Sequence, residues 1–276
     1  MIFNGQRYYL YQKNITHREQ LFSELKTVAL DNCTLYRLGN AHDGGYLICE
    51  NLMRDVKSAY SYGIEGRDEW GCDLSKRYNL IVHQYDCFDT RRPVCANGKF
   101  VFHEECIGDK YFISDNKPFD SLKNQIIKNK DDKKKLIVKM DVEGAEWDAF
   151  WATPEEVLNN IDQLIVEFHG VDQEKYIHVI QKLKKIFYLV NVHYNNFGCI
   201  DLIQPFPALA YEVLFVNKRI GIPNGNEPVP TKLASLDSPN NPFKEDCQRC
   251  EEFQFKFFEE LEYLLHLIMN KIEQKS

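Results

Sequence analysis

At 276 residues and 32.5 kDa, the chain is long enough to bury a sizeable core in one full domain with appendages. Hydrophobic residues at 44% and charged residues at 27% exclude a disordered or fibrous class. A net charge of -7 excludes a non-specific nucleic-acid binder, which needs a basic surface. No run has the apolar length of a membrane-spanning helix, so no integral membrane segment is expected and any membrane role is peripheral.

Residues 14 to 30 read as a helical lead-in, with Leu21, Phe22, Leu25, Val28 and Ala29 recurring at spacing three and four. From about 33 to 220, short β-rich runs alternate with helical stretches, the pattern of βαβ units around a mostly parallel sheet. The predicted strands are 58–62, 80–85, 99–103, 136–140, 163–168, 188–192 and 211–216. Together they predict an α/β, Rossmann-like domain with seven strands and an antiparallel hairpin at its end. Lys133-Lys134-Lys135 is a solvated loop before the fourth of these strands. After 220, Pro, Asn and Gly dominate, as in Ile222-Pro-Asn-Gly and Ser238-Pro-Asn-Asn-Pro242, and predict a linker that wraps the surface. The last segment, about 244 to 273, is amphipathic, and its stripe Phe257, Leu261, Leu264, Leu265, Ile268 and Ile272 suits packing on its own domain, a homodimer interface or a lid. The domain division is therefore 1–32, 33–220 and 221–276.

Nine cysteines, at 33, 49, 72, 87, 95, 106, 199, 247 and 250, show no framework spacing, and no signal peptide is expected from the opening residues. That pattern predicts reduced thiols in the cytoplasm. Cys247-Gln-Arg-Cys250 is a lone CxxC without the two further ligands of a structural zinc.

The densest chemistry lies in Lys139-Met-Asp-Val-Glu-Gly-Ala-Glu-Trp147, directly behind an apolar strand. The carboxyl end of a strand is where ligands collect in an open α/β sheet. Strand alternation puts Asp141 and Glu143 on one side, and Gly144 turns the chain into a helix. The plainer account is a helix N-terminus with acids favourably placed against its dipole. Upstream, Tyr60-Ser-Tyr-Gly-Ile-Glu-Gly66 is a glycine turn after the first predicted strand, and Asp86 ends the second about twenty residues on, an interval suited to a ribose in an adenosine cofactor.

Asp141-Val-Glu-Gly-Ala-Glu146 resembles the signature of the FkbM family of S-adenosylmethionine-dependent methyltransferases. Arg37-Leu-Gly-Asn-Ala-His-Asp-Gly-Gly-Tyr46, Tyr60 to Gly66, Val82-His-Gln-Tyr-Asp86, Ile165-Val-Glu-Phe-His169 and Asn191-Val-His-Tyr-Asn-Asn196 fit the same family and its methyltransferase-like relatives, in the same order, over about 36 to 217. The resemblance implies a class I methyltransferase fold and S-adenosylmethionine as cofactor, leaving S-adenosylhomocysteine. It places Gly63 and its turn, with Tyr62 and Glu65, at the methionine part, Asp86 at the ribose, and Gly108 and Asp109 beside the adenine, with Cys87 and Asp141 also among the expected cofactor-binding residues. One departure stands out: common methyltransferases carry an acid before the first glycine and a second glycine after it, where this chain has Ser61 and Glu65. The amino-acid end is therefore expected on Asp43-Gly44-Gly45.

Four candidate catalytic residues, Asp141, Glu143, His169 and His193, fall at strand ends. His169 is the favoured base, because imidazole titrates near neutrality and Gly170 leaves room for an acceptor. Glu167, His193, Asn195 and Asn196 are expected to bind the acceptor, the resemblance implying a hydroxyl of a sugar or a sugar-linked small molecule, with a bacterial capsule or other surface glycan as context, phosphoramidate-type groups included. Related sugar methyltransferases place magnesium where Asp141, Glu167 and His169 stand. A histidine among the ligands is unlike magnesium's usual oxygen shell, so no metal is expected. Two rival readings are a nicotinamide-dependent oxidoreductase, which should show a tighter motif than Gly63-x-x-Gly66, and a non-catalytic partner-binding protein of the same fold.

Overall fold

The computed structural model describes residues 14–200, 203–225, 236 and 238–247. The predicted amphipathic segment at 244–273 and Cys250 lie almost wholly or entirely outside those residues. All seven predicted strands form one sheet: β3 (Val56–Tyr62), β4 (Ile81–Tyr85), β5 (Lys99–His103), β9 (Lys135–Asp141), β10 (Ile161–His169), β11 (Phe187–Tyr194) and β12 (Ala210–Asn217). Their spatial order is β11-β12-β10-β9-β3-β4-β5. Neighbours from β5 to β10 are parallel, while β12 lies antiparallel between β10 and β11. The central strands read as continuous apolar runs because both faces are covered, as in Leu136, Ile137 and Val138, all fully buried.

The two faces are covered differently. One packs helices Leu122–Lys128, Glu146–Ala152 and Glu174–Ile186 over Tyr60, Tyr62, Val138, Val166 and Phe215. The other packs helix Glu69–Tyr78 and a hairpin of β1 (Leu35–Gly39) and β2 (Gly45–Cys49) over Ala59, Val82, Ile137 and Leu214. No alternating apolar pattern in the sequence marks this hairpin. Gln163, buried in mid-β10, holds it down: its side-chain oxygen accepts from the Cys49 N–H at 2.7 Å and its amide donates to the Cys49 carbonyl at 2.8 Å. A second small sheet, also unpredicted, comprises β6 (Cys106–Gly108), β7 (Phe112–Ser114) and β8 (Lys117–Ser121).

The lead-in helix runs Ile15–Glu24, shorter than its apolar periodicity suggests. Val28 instead donates its N–H to Leu189 on β11 at 2.7 Å, and Leu30 bridges Pro223, so the chain covers an edge strand whose free N–H and C=O groups need partners.

The expectation of reduced thiols is overturned. Four disulfides, Cys33–Cys49, Cys72–Cys95, Cys87–Cys106 and Cys199–Cys247, have Cα separations of 5.0, 5.6, 5.1 and 5.4 Å, within the span a disulfide bridges. Each joins segments that only the tertiary fold brings together, so their spacing in sequence carried no signal. Disulfides persist in oxidising surroundings, and the argument for a cytoplasmic location falls with the reduced thiols on which it stood.

Candidate active site

The chain leaves β3 toward β4 and β5 on one side and later fills β9, β10 and β12 on the other. The strand order therefore reverses between β3 and β9, and the crevice outside their carboxyl ends is where open α/β sheets bind ligands. Gly63 follows β3 with φ +67°, and a Cβ there would overlap the Asp141 carbonyl oxygen across the crevice. Only glycine permits that approach. Lys139, 5% exposed, reaches from β9 to the carbonyls of Tyr62 at 3.2 Å and Gly63 at 2.9 Å, with Asp141 at 3.4 Å. It pins the turn to the strand beside it.

Beyond Gly63, the predicted cofactor residues divide. Asp86 sits at the end of β4, beneath the turn, as expected. Its carboxylate is engaged by main chain: one oxygen accepts from Ile64 and Glu65 at 3.1 and 3.0 Å, the other from Phe88 and Asp89 at 2.9 and 3.0 Å. A carboxylate has about four lone-pair sites, so a ribose would have to displace some of these donors. Glu65 contributes its backbone to that network and takes φ +47°. Tyr62 contributes only its carbonyl, because its ring is buried in the core, stacked on Tyr85 at 4.8 Å, and cannot line the crevice. Cys87 is joined to Cys106 and so presents no thiol; that bond draws β6, with Gly108 and the exposed Asp109, toward the end of β4. Gly44, with φ +78°, and Gly45 turn the chain into β2, and the charge of Asp43 beside them adds, after burial and the charges of Asp141 and Glu212, to the raised pKa of Glu167.

The predicted catalytic residues gather around His169, except His193. Glu146 is fully buried and accepts from Gly144 N at 2.9 Å, His169 N at 2.7 Å and His169 Nδ1 at 3.0 Å. An ionised carboxylate only accepts, so Nδ1 carries the hydrogen and Nε2 is the exchangeable nitrogen. Nε2 faces Glu143 at 3.5 Å, Glu167 at 3.8 Å and Asp141 at 3.9 Å. Burial lowers the His169 pKa, but the Glu146 hydrogen bond and the charges of Glu146, Asp141 and Glu143 outweigh it and raise the pKa above 6.5. Glu143 reaches this position from a left-handed turn residue, φ +56°.

Behind His169 stands a wall of buried acids. Glu167 and Glu212 have raised pKa values, from burial first and then, in both, from the charge of Asp141; the charge of His193 and the Asn240 hydrogen bond partly oppose the rise at Glu212. Tyr46 donates its hydroxyl to Asp141 at 2.8 Å. Asp141, Glu167 and His169 each offer a ligand atom within 4.8 Å of the others, a spacing able to hold a divalent cation.

The residues assigned to the acceptor are engaged within the protein. His193 Nε2 donates to Asn240 Oδ1 at 2.8 Å, Asn195 donates to Glu167 at 2.8 Å, and the Asn196 amide donates to the carbonyls of Asn241, Lys244 and Glu245 at 3.0 to 3.3 Å. They build one side of the site rather than offering open donors to a sugar. Tyr46, Lys139, Glu146, Glu212 and Asn240 also belong to the site, though the sequence pattern did not single them out. Three of them stood inside quoted motifs, and Glu212 was legible as a lone acid in the apolar run 211–216. Asn240 gave no signal, since it lies in a Pro/Asn stretch. No protein-family model matches the chain, and no curated protein matches it either.

Proposed function

We propose that the protein transfers a methyl group from S-adenosylmethionine to a hydroxyl, with His169 as base and a sugar or sugar-linked molecule as acceptor. The observation that carries this reading is the Glu146–His169–Asp141 arrangement at the switch point, directly across from the Gly63 turn. The topology supports it: counted along the chain, the seven sheet strands lie in the order 3-2-1-4-5-7-6 with the seventh antiparallel, as the resemblance to class I methyltransferases implies.

The residues suit this cofactor in charge and in space. Asp43, Asp141 and Glu143 favour a sulfonium cation, and a Cβ added at Gly144 would meet nothing within 4 Å. When bound, the cofactor supplies an electrophilic methyl carbon. Glu146 fixes the imidazole so that Nε2 points into the crevice, where it takes the proton that the acceptor hydroxyl gives up. Asp141 and Glu143 stabilise the imidazolium so formed. Gly63 and Lys139 set the floor against which the methionine part would lie. The four disulfides suit work in an oxidising compartment.

Calorimetric titration with S-adenosylhomocysteine, run beside NAD, tests the reading. Micromolar affinity, about -8 kcal/mol, for the first and none for the second is expected. The reverse preference would establish the oxidoreductase instead, and binding of neither would leave a fold without its cofactor.

A further inference from the structure

We propose that residues 238–247 form a latched strap that completes the candidate site, with Asn240 as a positioning residue and the Cys199–Cys247 disulfide as the latch. The proposal rests on the cofactor reading above for its functional readout alone.

Asn240 belongs to neither the sheet nor the helices, yet it is 2% exposed and touches three parts of the site. Its Oδ1 accepts from His193 Nε2 at 2.8 Å, and its Nδ2 donates to Glu212 at 2.7 Å and toward Asp43 at 3.3 Å. Its carbonyl accepts from the Asp43 N–H at 3.3 Å, and the preceding Pro239 carbonyl accepts from His42 Nδ1 at 2.8 Å. The side chain thus spans from the β1–β2 turn to the paired strands β11 and β12. A carboxamide is the group this place calls for: one end must accept from an imidazole, and the other must donate to two carboxylates.

The rest of the strap is held by polar ties and one covalent bond. Asn196 clamps it at both ends of its own amide, accepting from Asn241 N at 2.6 Å while donating to three strap carbonyls. The large apolar side chain of the strap, Phe243, is 95% exposed, so hydrophobic burial does not fasten it. Cys199–Cys247 closes a separation of 48 residues and ties the strap beside the 3-10 turn Asn196–Gly198. A latch on a loop of that length removes many open arrangements.

The latch also makes the site sensitive to thiols. One thiolate of a dithiol attacks a sulfur of the Cys199–Cys247 bond, the other cysteine leaves as a thiolate and takes a proton, and the second thiol of the reagent closes its own disulfide and frees the remaining cysteine. Two electrons and two protons pass from dithiol to protein. The released strap withdraws Asn240 from Asp43, loosening the Asp43–Gly45 turn that the cofactor reading assigns to the amino-acid end.

The test compares the full chain with Asn240→Ala, Asn240→Asp and the double variant Cys199→Ser/Cys247→Ser. S-adenosylhomocysteine affinity is expected to fall about tenfold in all three, within the usual range of site coupling. Asn240→Asp separates positioning from space filling. It has the same shape but sets a carboxylate against Glu212 and Asp43, so recovery of wild-type affinity in that variant overturns the proposal, as does unchanged affinity in the other two. Hydrogen exchange at Gly44 and Gly45 is read in parallel. Faster exchange in the variants is expected and slow exchange in all of them overturns the strap. If the wild type binds no S-adenosylhomocysteine, the cofactor reading fails and the exchange result still decides the strap.

Discussion

Removing the Glu146 carboxylate gives the sharpest test of how the site is built. Glu146→Ala deletes three hydrogen bonds to a fully buried charged group and leaves the Gly144 N–H, the His169 N–H and the His169 ring without their acceptor. Hydrogen bonds to charged groups contribute about 1.5–3 kcal/mol each, and water entering the partly exposed turn offsets some of the loss, so about 3–5 kcal/mol is expected. For a chain of this size that is a fall in Tm of about 6–20 °C. Glu146→Gln keeps the shape and one accepting oxygen, and should lose about half as much. The pH dependence adds a second check. The His169 pKa is raised in the folded protein, so the Glu146–His169 interaction contributes fully below 6.5 and is lost as pH rises through the folded value. The gap between wild type and Glu146→Ala should therefore be wider at about pH 6 than at about pH 9. Thermal unfolding followed by circular dichroism at both pH values measures it. A Tm within about 2 °C of wild type, or a gap that widens toward high pH, would refute the reasoning.

Gly63→Ala should prevent assembly of the crevice: the left-handed backbone alone costs about 1–3 kcal/mol, and the added Cβ overlaps the Asp141 carbonyl. Its urea midpoint should fall, and an unchanged midpoint would contradict the close approach of β3 and β9. On the far side of β4, burial holds the His83 pKa down to about 4, despite the opposing charge of Asp131 at 3.4 Å and with His103 and Lys134 adding to the depression. Because the folded value lies below the unfolded one, stability is lost as pH falls from 6.5 toward about 4, and His83→Asn should flatten that loss in a Tm-against-pH series. Chelation with EDTA should leave S-adenosylhomocysteine affinity intact, because a histidine between Asp141 and Glu167 is unlike the all-oxygen shell that magnesium takes. Loss of affinity restored by added manganese would show instead that Asp141, Glu167 and His169 hold a metal.

The sheet was legible because its strands are apolar runs bounded by turn residues, and Leu136–Met140 or Tyr211–Val216 can hardly be anything else in a chain with alternating helices. The hairpin β1–β2 was not legible. Its strands are five residues each and pair through a turn rich in polar residues, and the partner that fixes them, Gln163, is more than a hundred positions away. The same distinction governs the site. Asp141, Glu143 and His169 converge because strand ends of one sheet must converge, which local pattern reveals. Asn240 and the disulfides depend on where a return segment lands, and composition says nothing of that. Tyr62 and Cys87 fall at the right positions along the chain, but a strand residue has two faces and a cysteine two chemistries, and the sequence did not choose between them.

The contact of Gln163 with Cys49 has a further consequence. At residue 49 the amide engages the N–H and the carbonyl, so it recognises a stretch of backbone there, while its nitrogen also reaches Met53 Sδ at 3.3 Å. The hairpin is thereby moored at one end by a chemical group that every amino acid except proline presents. Its other end, carrying Asp43 to Tyr46, is tied separately over the crevice, through the Asp43 N–H to the Asn240 carbonyl at 3.3 Å and the Tyr46 hydroxyl to Asp141 at 2.8 Å. The length from Tyr46 to Cys49 is therefore fixed at both ends: one inserted residue would move Tyr46 off Asp141 and the turn off its seat.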